Sequence, residues 1–282
     1  MSFKTVAVIG AGQMGQGIAQ VFATAGFNVI LNDIDSAAIE KGLATLTRSL
    51  NKLADKELLS EDPAIIAGRI TGSTDFSALV AAELVVEAAT ENEALKHKIF
   101  SQLDKICPAS TVLASNTSSI SITRLAAVTE RPDKVVGLHF MNPVPLMKLI
   151  EVIKGLQTSE ETYQSMLEVA DKLNKTAVTS QDRPGFIVNR ILMPMINEAI
   201  FTLYEGVGNA AEIDEAMKLG AAHPMGPLAL ADLIGLDTCL SIMQVLNEGF
   251  SDSKYRPCPL LKQMVDAGYL GRKTGRGFYQ YD

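Results

Sequence analysis

Hydrophobic positions along this chain follow two rhythms, and the change comes near Arg183-Pro184. Before it, short β-branched apolar runs alternate with stretches of helical period. Runs at 6–9, 83–89, 111–115, 135–140 and 147–153, and one ending at Asn32-Asp33, read as strands, mostly of the buried kind that parallel sheets use. Helical patterns at 91–103, 121–128 and 159–175 separate the later ones. The alternation predicts an α/β fold, a Rossmann-type doubly wound sheet. Between Asp33 and the run at 83–89 lie about fifty residues, where a crossover needs roughly a dozen. That stretch reads as an inserted helical arm over about 36–68, opened by a cap signal at Asp35-Ser36 and broken near Asp62-Pro63. From Phe186 on only helical period remains, at 187–205, 212–219, 228–247 and 260–267. The expectation is two domains, 1–184 and an all-α C-terminal domain over 185–282. A Met- and Leu-rich helical block of this size is expected to bury an apolar face against a partner subunit, as a homodimer.

The first strand runs into Gly10-Ala-Gly12-Gln13-Met14-Gly15, followed by a helical pattern and a second strand that ends on an acidic residue, Asp33. A glycine turn alone is weak evidence, but this strand, helix and carboxylate supply the context of a dinucleotide-binding βαβ unit. Gly10 permits the tight turn, Gly12 close approach of a pyrophosphate, and Gly15 close packing of the helix on the sheet. The phosphates then meet the N–H groups and positive dipole end of a helix N-terminus. Asp33 suits the adenosine ribose hydroxyls and repels a 2′-phosphate, so NAD is expected over NADP.

Charge and composition narrow the classes. A net charge of −7 and a pI near 5.1 argue against a nucleic-acid partner. No run approaches the eighteen apolar residues of a membrane span, and strand 1 begins too soon for a signal peptide to precede it. Cys107, Cys239 and Cys258 are scattered, with neither disulfide nor metal-ligand spacing, which fits reduced thiols in the cytoplasm and no metal site. Arg48, Lys52 and Lys56 recur every four residues on the arm; a solvated face is the plain reading, a polyphosphate contact the sharper one.

Of three histidines, His97 is flanked by lysines on a predicted surface helix and His223 sits in a loop. His139 ends the run VVGLHF, at the strand end where open α/β sheets bind ligands. On a bare strand it reads equally as a core residue or as a base. Glu151 shares a strand face with Met147, Leu149 and Ile153, so it needs a partner unless that face is in water.

Four segments, GAGQMGQGIA, ASNTSSISI, GLHFMNPVPLMKLIEVIKG and RPGFIVNR, resemble in order and spacing the L-3-hydroxyacyl-CoA dehydrogenase family, and the likeness extends to the C-terminal GRKTGRGFYQYD. The compact length looks most like the family's bacterial branch acting on 3-hydroxybutyryl-CoA. The resemblance implies NAD-dependent interconversion of an (S)-3-hydroxyacyl-CoA and its 3-ketoacyl-CoA. It implies His139 as general base, Glu151 as its carboxylate partner, and Ser118 on both the substrate oxygen and the cofactor. It also implies Asn189 as donor to the substrate carbonyl, with Glu91 and Lys96 near the nicotinamide ribose; Asn142, just after His139, lies close enough in sequence to assist. Read without the resemblance, Ser118, Asn189 and Asn142 are turn or cap residues, and Glu91 and Lys96 a helix start with solvated charges. The family uses the arm for coenzyme A, which gives Arg48, Lys52 and Lys56 a possible phosphate partner. Two other classes stay open: a β-hydroxy-acid dehydrogenase on a free acid, which would use a lysine base, and a non-catalytic NAD-binding protein of the same fold.

Overall fold

The computed structural model describes residues 3–281; Met1, Ser2 and Asp282, the outer ends of the two expected domain ranges, lie outside them. The chain divides into two compact units, one up to Arg183 and one from Pro184.

In the first unit β1 (Thr5–Ile9) leads through the glycine turn to α1 (Gln13–Thr24) and β2 (Asn28–Asn32). Two helices follow, α2 (Ser36–Ala54) and α3 (Pro63–Gly68), before β3 (Ile70–Ser73). Both helices begin where short polar side chains satisfy orphan amides: Asp35 accepts from Ala37 N–H and Asp62 from Ala64 N–H. Next come β4 (Leu84–Glu87), α4 (Glu93–Ile106), β5 (Val112–Ser115), α5 (Ile122–Ala126), β6 (Val135–Phe140), β7 (Leu149–Lys154), α6 (Glu160–Lys172) and β8 (Thr176–Gln181).

These strands form one eight-stranded sheet in the order β3-β2-β1-β4-β5-β6-β7-β8. All neighbours are parallel except β6 and β7, which run antiparallel. β4, β5 and β6 are buried along their whole length, as expected of central strands covered on both faces. The outermost strands, β3 and β8, escape the apolar pattern. Their sequences, ITGS and TAVTSQ, are short or polar because an edge strand has little surface to bury. With β3 in place, the helical pair α2–α3 is the enlarged crossover from β2 to β3, and Ile39, Leu46, Leu50 and Ile66 bury its inner face in the main core. Three boundaries also shift. Asp33 falls one residue past β2, Met147 lies exposed before β7 begins, and Lys56 stands in the turn after α2 ends at Ala54.

The second unit is helical: α7 (Val188–Tyr204), α8 (Ala210–Gly220), α9 (Pro227–Ile234), α10 (Leu236–Phe250) and α11 (Pro259–Asp266). The pattern at 228–247 suggests one long helix, but the chain bends by 98° between α9 and α10. Gly235 makes the bend at φ +103°, a backbone region that residues with a Cβ rarely adopt. Among the described residues no single helix is long and apolar enough to cross a membrane. The core of this unit gathers Met193, Ile200, Leu228, Leu236, Leu246 and Leu261. The C-terminal segment closes over it on two buried carboxylates. Asp232 accepts from Phe278 N–H, Tyr279 N–H and Tyr281 O–H at 2.9 to 3.0 Å, and Asp214 accepts from Tyr279 O–H at 2.7 Å.

Candidate active site

Strand order reverses direction between β1 and β4, and the carboxyl ends of strands at such a switch point leave a crevice. The glycine turn opens into it. Gly10 adopts φ +97°, and a Cβ there would come within 2.7 Å of the Ala88 carbonyl oxygen on the neighbouring chain segment. A Cβ on Gly15 would lie 1.7 Å from the Gly10 oxygen, so only glycine lets α1 sit against its own turn. Gly12 is different: a Cβ there meets nothing within 4 Å. Its bareness serves no contact within the chain, which is what a surface for a close-lying ligand requires. No side chain caps α1, so the donors of its first turn fit an anion such as a pyrophosphate.

Around this opening, the Asp33 carboxylate accepts from Ala11 N–H at 2.7 Å, tying the end of β2 to the turn and retaining further lone pairs for hydroxyl donors. Gln13 Nε2 donates to Asn142 Oδ1 at 3.1 Å, joining the turn to the loop after β6. Met14 is half-buried and packs on the main core.

The antiparallel pairing of β6 with β7 sets His139 directly across from Glu151. Glu151 Oε2 lies 2.8 Å from His139 Nδ1, and both side chains are buried. Glu151 is fully buried, so water does not cover its face; the imidazole supplies the partner this carboxylate needs. On the other side of the ring, His139 Nε2 is 3.2 Å from Ser118 Oγ. With an ionised Glu151 accepting from Nδ1–H, the neutral ring keeps its Nε2 lone pair toward Ser118.

Ser118 is held by a polar cluster around Glu91, an exposed carboxylate, with Ser118 and Ser119 half-buried and Thr117 buried beside it. Glu91 Oε1 accepts from Ser118 N–H at 3.0 Å, Ser119 N–H at 3.1 Å and Ser119 Oγ at 2.9 Å, and from the Thr117 hydroxyl. Beneath it, Lys96 Nζ sits 2.6 Å from Glu87 and 3.6 Å from Glu91. The reading of Lys96 as a solvated charge fails, because its side chain is 1% exposed and points to the end of β4. Glu87 is fully buried and also accepts from Ser115 Oγ at 2.6 Å and Ala89 N–H at 2.7 Å. No motif marked Glu87, and Ser115, though inside ASNTSSISI, was given no role; the signal available for Glu87 was a carboxylate closing an otherwise apolar strand, LVVE, next to the glycine turn.

Arg48, Lys52 and Lys56 are all exposed, the first two on α2 and the third beyond it. Asn189 belongs to the helical unit, where it is the buried second residue of α7.

Residues 5–183 match the 3-hydroxyacyl-CoA dehydrogenase NAD binding domain, and 185–281 match the C-terminal domain of the same family. The chain belongs to the 3-hydroxyacyl-CoA dehydrogenase family. It is 57% identical over 279 residues to a 3-hydroxybutyryl-CoA dehydrogenase of Bradyrhizobium diazoefficiens, covering 99% of this chain and 95% of that one. A probable 3-hydroxybutyryl-CoA dehydrogenase of Bacillus subtilis is 56% identical over 283 residues, covering 100% of this chain and 99% of the other. Among solved structures, (S)-3-hydroxybutyryl-CoA dehydrogenase from Ralstonia eutropha is similar with a TM-score of 0.97 at 55% identity, each chain fully covered. The glycine turn and Asp33 lie within the residues that match the NAD binding domain.

Proposed function

We propose that this protein is an NAD-dependent 3-hydroxybutyryl-CoA dehydrogenase, oxidising (S)-3-hydroxybutyryl-CoA to acetoacetyl-CoA and catalysing the reverse reduction. The observation that carries the reading is the buried His139, held between Glu151 on Nδ1 and Ser118 on Nε2 at the carboxyl ends of the strands.

Bound NAD supplies the hydride acceptor for oxidation. His139 Nε2 takes the proton of the substrate C3 hydroxyl, a step of the kind worth about 10²- to 10⁴-fold. Glu151 keeps the ring in the tautomer that can accept and stabilises the imidazolium that results, the logic by which a buried carboxylate orients a catalytic histidine. Ser118 O–H donates to the substrate oxygen. In the reductive direction the imidazolium returns the proton, so a proton is a reactant and low pH favours the hydroxyacyl product. The cofactor surface comprises Gly10, Gly12, Gln13, Met14 and Gly15 under the pyrophosphate, Asp33 at the adenosine ribose, and Glu91, Ser118 and Asn142 toward the nicotinamide. Lys96 acts there from beneath, through Glu91. Arg48, Lys52 and Lys56 attract the phosphates of coenzyme A, and Asn189 donates to the substrate carbonyl.

The helical unit is also the dimerisation domain of a homodimer. It carries an apolar cavity of about 660 Å³ lined by Met195, Ala199, Val207, Ile213 and Met217, with Ile191 and Val207 well exposed on the same unit. An open apolar surface of this kind suits a partner subunit. Three buried thiols and no disulfide among the described residues agree with a cytoplasmic protein.

Following NADH oxidation with acetoacetyl-CoA beside free acetoacetate tests the reading. Turnover with the CoA ester alone is expected. Comparable turnover of the free acid would move the protein to the β-hydroxy-acid class, and none with either would overturn the assignment.

A further inference from the structure

Glu87 lies outside every segment that the family likeness or the glycine turn singles out, yet it occupies the switch point itself. It is the last residue of β4, paired in register with Ile9 of β1 on one side and Ser115 of β5 on the other. Two routes lead from it to Ser118. In the first, Ser115 Oγ donates to Glu87 Oε2 at 2.6 Å and in turn accepts from Thr117 N–H at 3.2 Å. In the second, Glu87 Oε1 holds Lys96 Nζ at 2.6 Å, and the ammonium stands 3.6 Å from Glu91, whose other oxygen gathers the amides of Ser118 and Ser119.

The distances fix how the charges share the site. Lys96 is closely paired with Glu87 and only loosely with Glu91. Glu91 is therefore left on the serine amides rather than drawn onto the ammonium. Were Glu87 uncharged, the buried ammonium would have Glu91 as its sole anionic neighbour in this cluster, and the attraction would pull Glu91 inward. The Ser118 loop, which Glu91 gathers, would loosen, and with it the contact between Ser118 Oγ and His139 Nε2.

We infer that Glu87 is a positioning residue for the reaction: it anchors Ser115 and Lys96 so that Glu91 stays on the Ser118 loop and Ser118 stays against His139. This rests on the dehydrogenase reading for its kinetic consequence but not for its geometry. Glu87 touches neither substrate nor cofactor; it acts through Ser118.

A double-mutant cycle separates that role from general support of the fold. Glu87→Gln keeps the shape and an acceptor but removes the charge. In the otherwise natural enzyme it is expected to lower kcat with acetoacetyl-CoA on the order of ten- to a hundredfold, the scale of a small misplacement of a reacting group. KM for NADH is expected to rise as well, because Glu91 and Ser118 also face the nicotinamide in the proposed site. In a Ser118→Ala background the same change is expected to cost less than about threefold, because the group it positions is already gone. The nitrogen NMR shift of His139 Nε2 gives a second readout that needs no turnover: Glu87→Gln is expected to move it toward the value seen in Ser118→Ala. An equal loss of kcat in both backgrounds, an unchanged kcat, or an Nε2 resonance that does not move overturns the inference. If Glu87→Gln does not fold, Ser115→Ala takes its place in the same cycle with the same deciding outcomes. Absence of acetoacetyl-CoA turnover by the natural enzyme would sink the functional reading alone, since the resonance still reports the geometry.

Discussion

His139 and Glu151 face each other because two antiparallel strands meet in one register, and a shift of a single residue would put Glu151 on the opposite face of the sheet. Their pairing makes two substitutions informative. His139→Gln removes the proposed general base and is expected to lower kcat about 10²- to 10⁴-fold in both directions. Glu151→Gln leaves an acceptor for Nδ1–H but no negative charge for the imidazolium, so a smaller loss is expected. Steady-state rates in the two directions check both, and near-natural turnover by His139→Gln would mean that another residue is the base. At this scale the sequence was legible where a residue type is rare or out of place. One histidine at a strand end and one carboxylate on an apolar strand both stood out. Lys96 did not, because a lysine in a helix flanked by other charges looks solvated whatever lies beneath it.

Among the elements, the glycine turn offers a contrast between two positions only three residues apart. Gly15→Ala would drive a Cβ to 1.7 Å from the Gly10 oxygen, so α1 must shift off β1. A loss of about 1–3 kcal/mol or more is expected, the cost of overpacking. Gly12→Ala places its Cβ in open space at an ordinary φ of −69°, so stability should stay within about 0.5 kcal/mol. The same methyl would intrude on the proposed pyrophosphate site, and KM for NAD is expected to rise about tenfold or more. Thermal melts set beside NAD titrations distinguish the two, and equal melting losses would mean that Gly12 is structural. Elements with strong apolar period were legible, including β6 over its full span. β3 and β8 were not, since edge strands bury too little to leave an alternating or continuous apolar signature. The break between α9 and α10 was also missed, because period persists across a bend that one glycine makes.

For the whole molecule, titration of buried groups limits stability on the alkaline side. Burial pushes the Cys107 thiol from 9.0 up to about 11 and Cys239 to about 12. Burial, with the hydrogen bond to Asp232, raises Tyr281 from 10.0 to about 12. Each group holds its proton more tightly folded than unfolded, so its contribution is complete below the unfolded value and is lost as pH rises through the folded one. Melting temperature is therefore expected to hold up to about pH 9 and fall progressively toward pH 12, and the cysteines should resist thiol reagents at neutral pH until the chain unfolds. A melting temperature independent of pH across that window would contradict the burial of these groups. By itself the sequence determined what local pattern can encode: an alternating α/β half and a helical half, a glycine turn with an acidic residue at its far strand, and a histidine in the place where such sheets bind ligands. Tertiary structure alone decided the partners. His139 and Glu151 are 12 residues apart, and Ser115 and Glu87 are 28 apart. Strand order and register bring those side chains together, and apolar periodicity, which tells only which face of an element is buried, carries no record of what is buried opposite.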